Sequence, residues 1–181
     1  MRNQLMKLEL LTWITAIGLL IALPQAFAGN TPAGITPKKE ISKAAKAAVP
    51  HITAEQLQAK IDGKEKFYLI DVRTMPEYQA GHIDGSMWIP RGWVEFKTAE
   101  IIKDANAEII VYCKSGSRGS LSAKALLDMG YKNVKDLDGG IMAWVKKEYP
   151  LYSIFGKIQV VDIKAKDSSP NGTGQVRNVY P

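Results

Sequence analysis

One cysteine, Cys113, stands in a chain of 181 residues. A single thiol cannot close a disulfide within its own chain, so no cystine framework supports this fold. Two histidines, His51 and His82, and that one cysteine offer no metal-ligand spacing, and the sequence calls for neither a metal nor a cofactor. No repeat is evident. The chain also lacks a basic helix interleaved with aromatics, which argues against nucleic acid as a partner. The one long apolar run, Leu10 to Leu23, covers about 14 residues before Pro24, short of the roughly 20 that a spanning helix needs.

That run has the makings of an export signal. Arg2 and Lys7 precede it, and "AFA" (Ala26, Phe27, Ala28) follows with the small residues a signal peptidase requires. Residues 1–28 are therefore read as a cleavable Sec-type signal peptide, with cleavage after Ala28 and a periplasmic destination; a retained anchor is the competing reading. No cysteine near the site suits a lipoprotein, and Arg2 is not part of an arginine pair. On this reading no stable membrane insertion remains after cleavage. Loss of Arg2, Lys7 and Glu9 leaves 22 basic against 17 acidic side chains, a mild excess that favours a small anionic substrate.

Residues 29–50 begin with loop composition and continue as "KKEISKAAKAAVP", a short surface helix ending before Pro50 and serving as a linker or arm. From His51 to Tyr149 apolar runs alternate with amphipathic ones. "TAEQLQAKI" opens with Thr53 as N-cap and Gln56 in the capping-box position. "KFYLIDV", "SMWIP", "EIIVYC" and "VKDLDGG" read as strands. "MPEYQAGHI", "WVEFKTAEII", "SLSAKALLDMG" and "IMAWVKKEY" read as helices. The alternation predicts an α/β domain with a parallel sheet covered on both faces. Residues 150–181 depart from this rhythm: "KIQVVDI" is expected to add an edge strand or pack along the domain, and a polar, turn-rich tail follows from Lys164.

Cys113 then falls at the C-terminal end of a central strand, immediately before a helix, where parallel α/β sheets bind ligands. The connection "KSGSRG" contains Gly116 and Gly119, so its backbone can curl until successive N–H groups share a centre. The helix adds its positive end, and Lys114 and Arg118 add charge. Such surroundings favour the thiolate, the nucleophilic form. The bland alternative is a buried, inert cysteine.

The segment "CKSGSR" resembles the active-site loop of the rhodanese (sulfurtransferase) family, a six-residue Cys-x-x-Gly-x-Arg. "LIDVRTMPEY", "GHIDGSMWIP", "IIVYC" and "LDGGIMAW" stand in the order that the family's landmarks take. The resemblance covers roughly residues 51–149 and implies a rhodanese-like three-layer fold with a five-stranded parallel sheet. It makes Cys113 the nucleophile, taking a sulfane sulfur from thiosulfate or polysulfide as a persulfide and passing it to a thiol or cyanide. Lys114, Ser115, Gly116, Ser117 and Arg118 would surround that sulfur. Related phosphatases and arsenate reductases carry one more residue between cysteine and arginine, to fit a tetrahedral oxyanion; a non-catalytic module would lack the cysteine. Asp71 resembles a strand-end aspartate with a structural role. Arg73 is a candidate for donor binding or for pairing with Glu77. Arg91 lies in a "PRG" segment similar to that of exported polysulfide-type sulfurtransferases and is a further binding candidate. His82 belongs to a fold signature and is read as structural.

Overall fold

The computed structural model describes residues 34–160, so the signal-peptide reading of residues 1–28 and the tail from Lys164 lie outside the described residues. Helix α1 (Lys38–Ala48) comes first, followed by β1 (His51–Ile52), α2 (Ala54–Asp62), β2 (Tyr68–Asp71), α3 (Met75–Ala80) and β3 (Met87–Trp88). A 3-10 turn (Arg91–Trp93) leads into α4 (Val94–Ile101), then β4 (Glu108–Tyr112), α5 (Ser117–Asp128), β5 (Asn133–Leu137) and α6 (Gly140–Lys146). The main sheet is parallel throughout, in the order β1-β5-β4-β2-β3, which puts β4 at its centre.

Side chains alternate across a strand, and both faces of β4 are dry. Ile109 and Val111 meet Ala123 and Leu126 of α5 and Val94 of α4 on one face. On the other, Ile110 and Tyr112 meet Leu57 of α2 and Ile141 and Trp144 of α6. That is why "EIIVYC" is an unbroken apolar run. Each such isoleucine contributes about 1.5–3 kcal/mol by leaving water. Local signals agree with the sheet: Thr53 Oγ1 accepts the Gln56 N–H, and Gln56 Oε1 accepts the Thr53 N–H. Thr74 and Glu77 close the same reciprocal box at α3, where Pro76 needs no hydrogen-bond acceptor.

Periodicity alone finds four strands of this sheet. The fifth, β1, is two residues long, too short to show alternation. The arm at residues 29–50 carries α1, which lies along α5 and buries Ala45; Val49, just past its end, joins the core beside α5. Alanine there lets two helix backbones approach. After Pro150 the chain does not extend the main sheet: β6 (Leu151–Ser153) and β7 (Gly156–Ile158) form a separate antiparallel hairpin. A backbone bridge from Tyr152 to His82 fastens it to the domain. Among the described residues no helix is long and apolar enough to cross a membrane.

Candidate active site

Cys113 follows β4 directly and is 1% exposed. The loop turns back on itself at Gly116, whose φ of 104° favours glycine, and the Gly116 N–H donates to Cys113 Sγ at 3.2 Å. Helix α5 starts at Ser117. Lys114, Ser115 and Ser117 are exposed and make no side-chain hydrogen bond to the other described residues. Gly116 is buried. The sequence expectation of a tight, glycine-dependent turn between central strand and helix therefore describes this loop, with Gly116 itself donating to the sulfur.

A second segment clamps the loop from the side. Ile141 N–H donates to the Cys113 carbonyl (2.8 Å) and Met142 N–H to that of Lys114 (3.1 Å). Both donors belong to the first turn of α6, which has no acceptors for them within its own helix. The approach is close enough that a Cβ on Gly140 would lie 2.4 Å from the Cys113 carbonyl oxygen. The "GG" of "LDGGIMAW" thus acts on the cysteine loop, a role invisible in the local pattern.

Arg118 is not a lone cation. Its Nη1 and Nη2 donate to Glu77 Oε2 and Oε1, both at 2.9 Å, in a bidentate fork. Glu77 Oε2 also accepts the Thr74 N–H and hydroxyl. Hydrogen bonds from Arg118, then from Thr74, hold the Glu77 carboxyl far below the usual carboxylate range despite partial burial. The same fork raises Arg118 above its ordinary value. Two of the five guanidinium donors are used, and the side chain stays about one-third exposed, so it can still meet an anion.

The expectation for Arg73 needs correction. It is buried, not presented to a donor: Nε and Nη2 donate to Asp71, and Nη2 also donates to the Gly81 carbonyl at 2.7 Å. Nor does it pair with Glu77. The i,i+4 rule applies within a helix, whereas Arg73 precedes the Thr74 cap and turns back to Asp71. Asp71, fully buried, accepts from the Arg73 backbone and side chain and so braces the strand end. Arg91 sits in the 3-10 turn that packs on α5, with Nη1 bonded to both oxygens of Glu95. His82 Nδ1 lies 3.1 Å from the Tyr78 carbonyl and stacks on the Tyr78 ring at 4.0 Å. Its ring is engaged in structure.

One group under the loop drew no attention in the sequence. Asp136 of β5 is fully buried, and only the absence of a side chain at Gly119 lets its carboxylate reach α5: a Cβ there would sit 2.1 Å from Oδ1. Ser120 Oγ lies 2.5 Å from Oδ2, and Oδ1 has no hydrogen-bond partner among the described residues. Burial pushes this carboxyl up to about 7. The folded state therefore keeps a proton that the unfolded chain, with an ordinary aspartate near 3.9, gives up. Stability then falls as pH rises between those two values, by at most about 1.4 kcal/mol per pH unit, and levels off above the folded value. Urea unfolding across that interval should show this decline for the native chain and a flatter profile for Asp136→Asn; parallel profiles would contradict the assignment.

The model of the rhodanese-like domain family matches residues 53–147. A sulfurtransferase from Allochromatium vinosum is 32% identical over 103 residues, spanning 57% of this chain and 94% of that protein. A Bacillus subtilis protein provisionally named as the sulfur carrier YrkF is 34% identical over 101 residues, 56% of this chain and 54% of the relative. The chain thus matches about half the length of that relative. Among solved structures, a thiosulfate sulfurtransferase from Pseudomonas aeruginosa superposes with a TM-score of 0.59 at 26% identity, over 64% of this chain and 22% of the other.

Proposed function

The chain belongs to the rhodanese-like domain family, and on that premise we propose that it is a sulfurtransferase whose covalent intermediate is a Cys113 persulfide. The observation that carries this reading is the loop: a cysteine at the end of the central strand, with a backbone N–H donated to its sulfur. A thiolate, or the outer sulfur of a persulfide, is the anion such a loop stabilises.

The Cys113 thiolate attacks the outer sulfur of thiosulfate. A Cys113–sulfur bond forms, the sulfur–sulfur bond of thiosulfate breaks, and sulfite leaves with that electron pair. With polysulfide the leaving group is the shortened chain. Cyanide carbon or an acceptor thiolate then takes the outer sulfur and returns the electron pair to Cys113. Neither half-reaction needs a strong base once the thiol is ionised, which fits the structural engagement of His82. Lys114, Ser115, Ser117 and Arg118 surround the mouth of the loop, and Arg91 is the outlying candidate for donor contact. No cofactor is called for.

Thiocyanate formation from thiosulfate or polysulfide and cyanide tests the activity, with a phosphate monoester as the contrasting substrate. Sulfur transfer without phosphate release is the expected result; the reverse would place the chain with phosphatases. Arg118→Ala should raise KM for thiosulfate several-fold with a smaller change in kcat, because a guanidinium that only holds an incoming anion acts on binding. Unchanged kinetics would reduce Arg118 to the structural partner of Glu77. We further propose export to the periplasm by the N-terminal signal; a periplasmic fraction containing the chain beginning at Gly29 supports this, and a full-length membrane-bound form contradicts it.

A further inference from the structure

The cysteine loop is held from within by a hydrogen-bond chain that ends on a titratable group. Gly116 is the loop residue whose N–H meets Sγ. Its carbonyl accepts the Ser120 N–H at 2.8 Å and lies 3.0 Å from Ser120 Oγ. That same Oγ lies 2.5 Å from Asp136 Oδ2. Serine has one hydroxyl proton and two acceptors here, so it cannot donate to both. The protonation state of Asp136 decides which one it serves. Neutral, the carboxyl donates to Ser120 Oγ, and the Ser120 hydroxyl is free to donate to Gly116. Ionised, Asp136 can only accept, and it draws the hydroxyl away.

We propose that Asp136 is a positioning residue of the Cys113 loop: when neutral it leaves the Ser120 hydroxyl on the Gly116 carbonyl beside the Ser120 N–H, and when ionised it takes that second bond away, so that the loosened loop admits reagents to the sulfur. Admission matters because Cys113 is 1% exposed. With so little of the residue exposed, the set of the loop governs how readily a donor or acceptor reaches Sγ. The switch operates near neutrality, where burial places the Asp136 carboxyl.

The surroundings allow Asp136 to titrate. His51 of β1, its register partner, places Nδ1 3.9 Å from Oδ2. His51 Nε2 lies 2.8 Å from the Lys46 carbonyl, which can only accept, so Nε2 carries the proton and neutral His51 offers Asp136 no donor. Lys46 of α1 is engaged by Asp138 at 2.7 Å. Asp138, just beyond β5, adds a like charge that opposes ionisation. From α5 only Ser120 and the bare backbone of Gly119 face the carboxyl, and Cys113 follows just past the end of the neighbouring strand β4. Charge on His51 and Lys46 favours the ionised carboxyl and burial outweighs both, while among the described residues Ser120 alone hydrogen-bonds to the Asp136 side chain.

The inference rests on Cys113 being the reacting thiol, but its test uses no sulfur donor. The rate of Cys113 alkylation by iodoacetamide is measured against pH for the native chain, Asp136→Asn and Ser120→Ala. Asparagine keeps the neutral pattern at every pH, its amide donating to Ser120. The ratio of native to Asp136→Asn rates should be near one below neutrality and rise several-fold above it. A simple charge effect has the opposite sign: an ionised Asp136 disfavours the thiolate and would slow the native chain. Ser120→Ala, with no hydroxyl on Gly116 at any pH, should exceed Asp136→Asn throughout. A ratio that stays at one, or falls, overturns the proposal. The carbonyl 13C shift of Gly116 gives a second readout: it should titrate in the native chain and stay fixed in Asp136→Asn. Failure of sulfur transfer with this pattern intact would refute the proposed reaction and leave the relay standing.

Discussion

Cys113→Ser abolishes sulfur transfer, leaving only the rate seen without protein, while the domain still unfolds cooperatively. The chemical half of this expectation is categorical: a serine oxygen cannot hold the outer sulfur as a persulfide. The structural half follows from the surroundings. Among the described residues Sγ has one polar partner, the Gly116 N–H, and a hydroxyl can accept that bond as well. The remaining neighbours include Val111 and Ala123, so the hydroxyl pays a burial cost of about 1–3 kcal/mol. Thermal unfolding and turnover measured on the same sample separate the two. Residual turnover above background in a folded variant would remove Cys113 from the mechanism.

Gly140→Ala has the next largest effect, and it comes from the far side of the loop. The φ of 60° at Gly140 costs an alanine about 1–2 kcal/mol. The steric conflict is worse. The new Cβ would meet the Cys113 carbonyl oxygen at 2.4 Å and the Lys114 carbonyl carbon at 2.8 Å, backbone atoms with no rotamer to change. Something must move, and the clamps from Ile141 and Met142 are what hold the pair together. We expect a loss of about 4 kcal/mol or more, together with a fall in turnover larger than the unfolded fraction explains. Gly85→Ala is the control. Its φ of 70° imposes similar strain, yet nothing lies within 4 Å of the added methyl. That variant should lose only about 1–2 kcal/mol and keep its activity. Equal losses of stability and turnover in both would show that strain alone, and not contact with the cysteine loop, explains Gly140.

What the sequence disclosed was local. Thr53 with Gln56, Pro76 at the start of α3 and the apolar run of β4 each depend on a few neighbouring residues, and each was readable. The cysteine loop was readable too, because its glycines, strand end and helix start are contiguous. Features fixed by distant partners were not. Glu77 meets Arg118 across 41 residues, and nothing around either names the other. Arg73 looked available because its burial by Asp71 and Gly81 depends on how the chain folds back after α3. Asp136, in "VKDLD", shares the face of Val134 by the period of two, but an aspartate does not announce a core position. Its burial follows from β5 lying between β1 and β4 with α5 across it. The gap at Gly119 that admits its carboxylate appears only when helix and strand are brought together.

The central claim is that Cys113 carries sulfur covalently. Intact mass spectrometry tests it most directly: reduced protein is incubated with thiosulfate or polysulfide, freed of donor, and weighed before and after reductant. The account predicts a gain of one sulfur atom that reductant removes, and no gain in Cys113→Ser. An unchanged mass with both donors, or a gain that persists in Cys113→Ser, would contradict it.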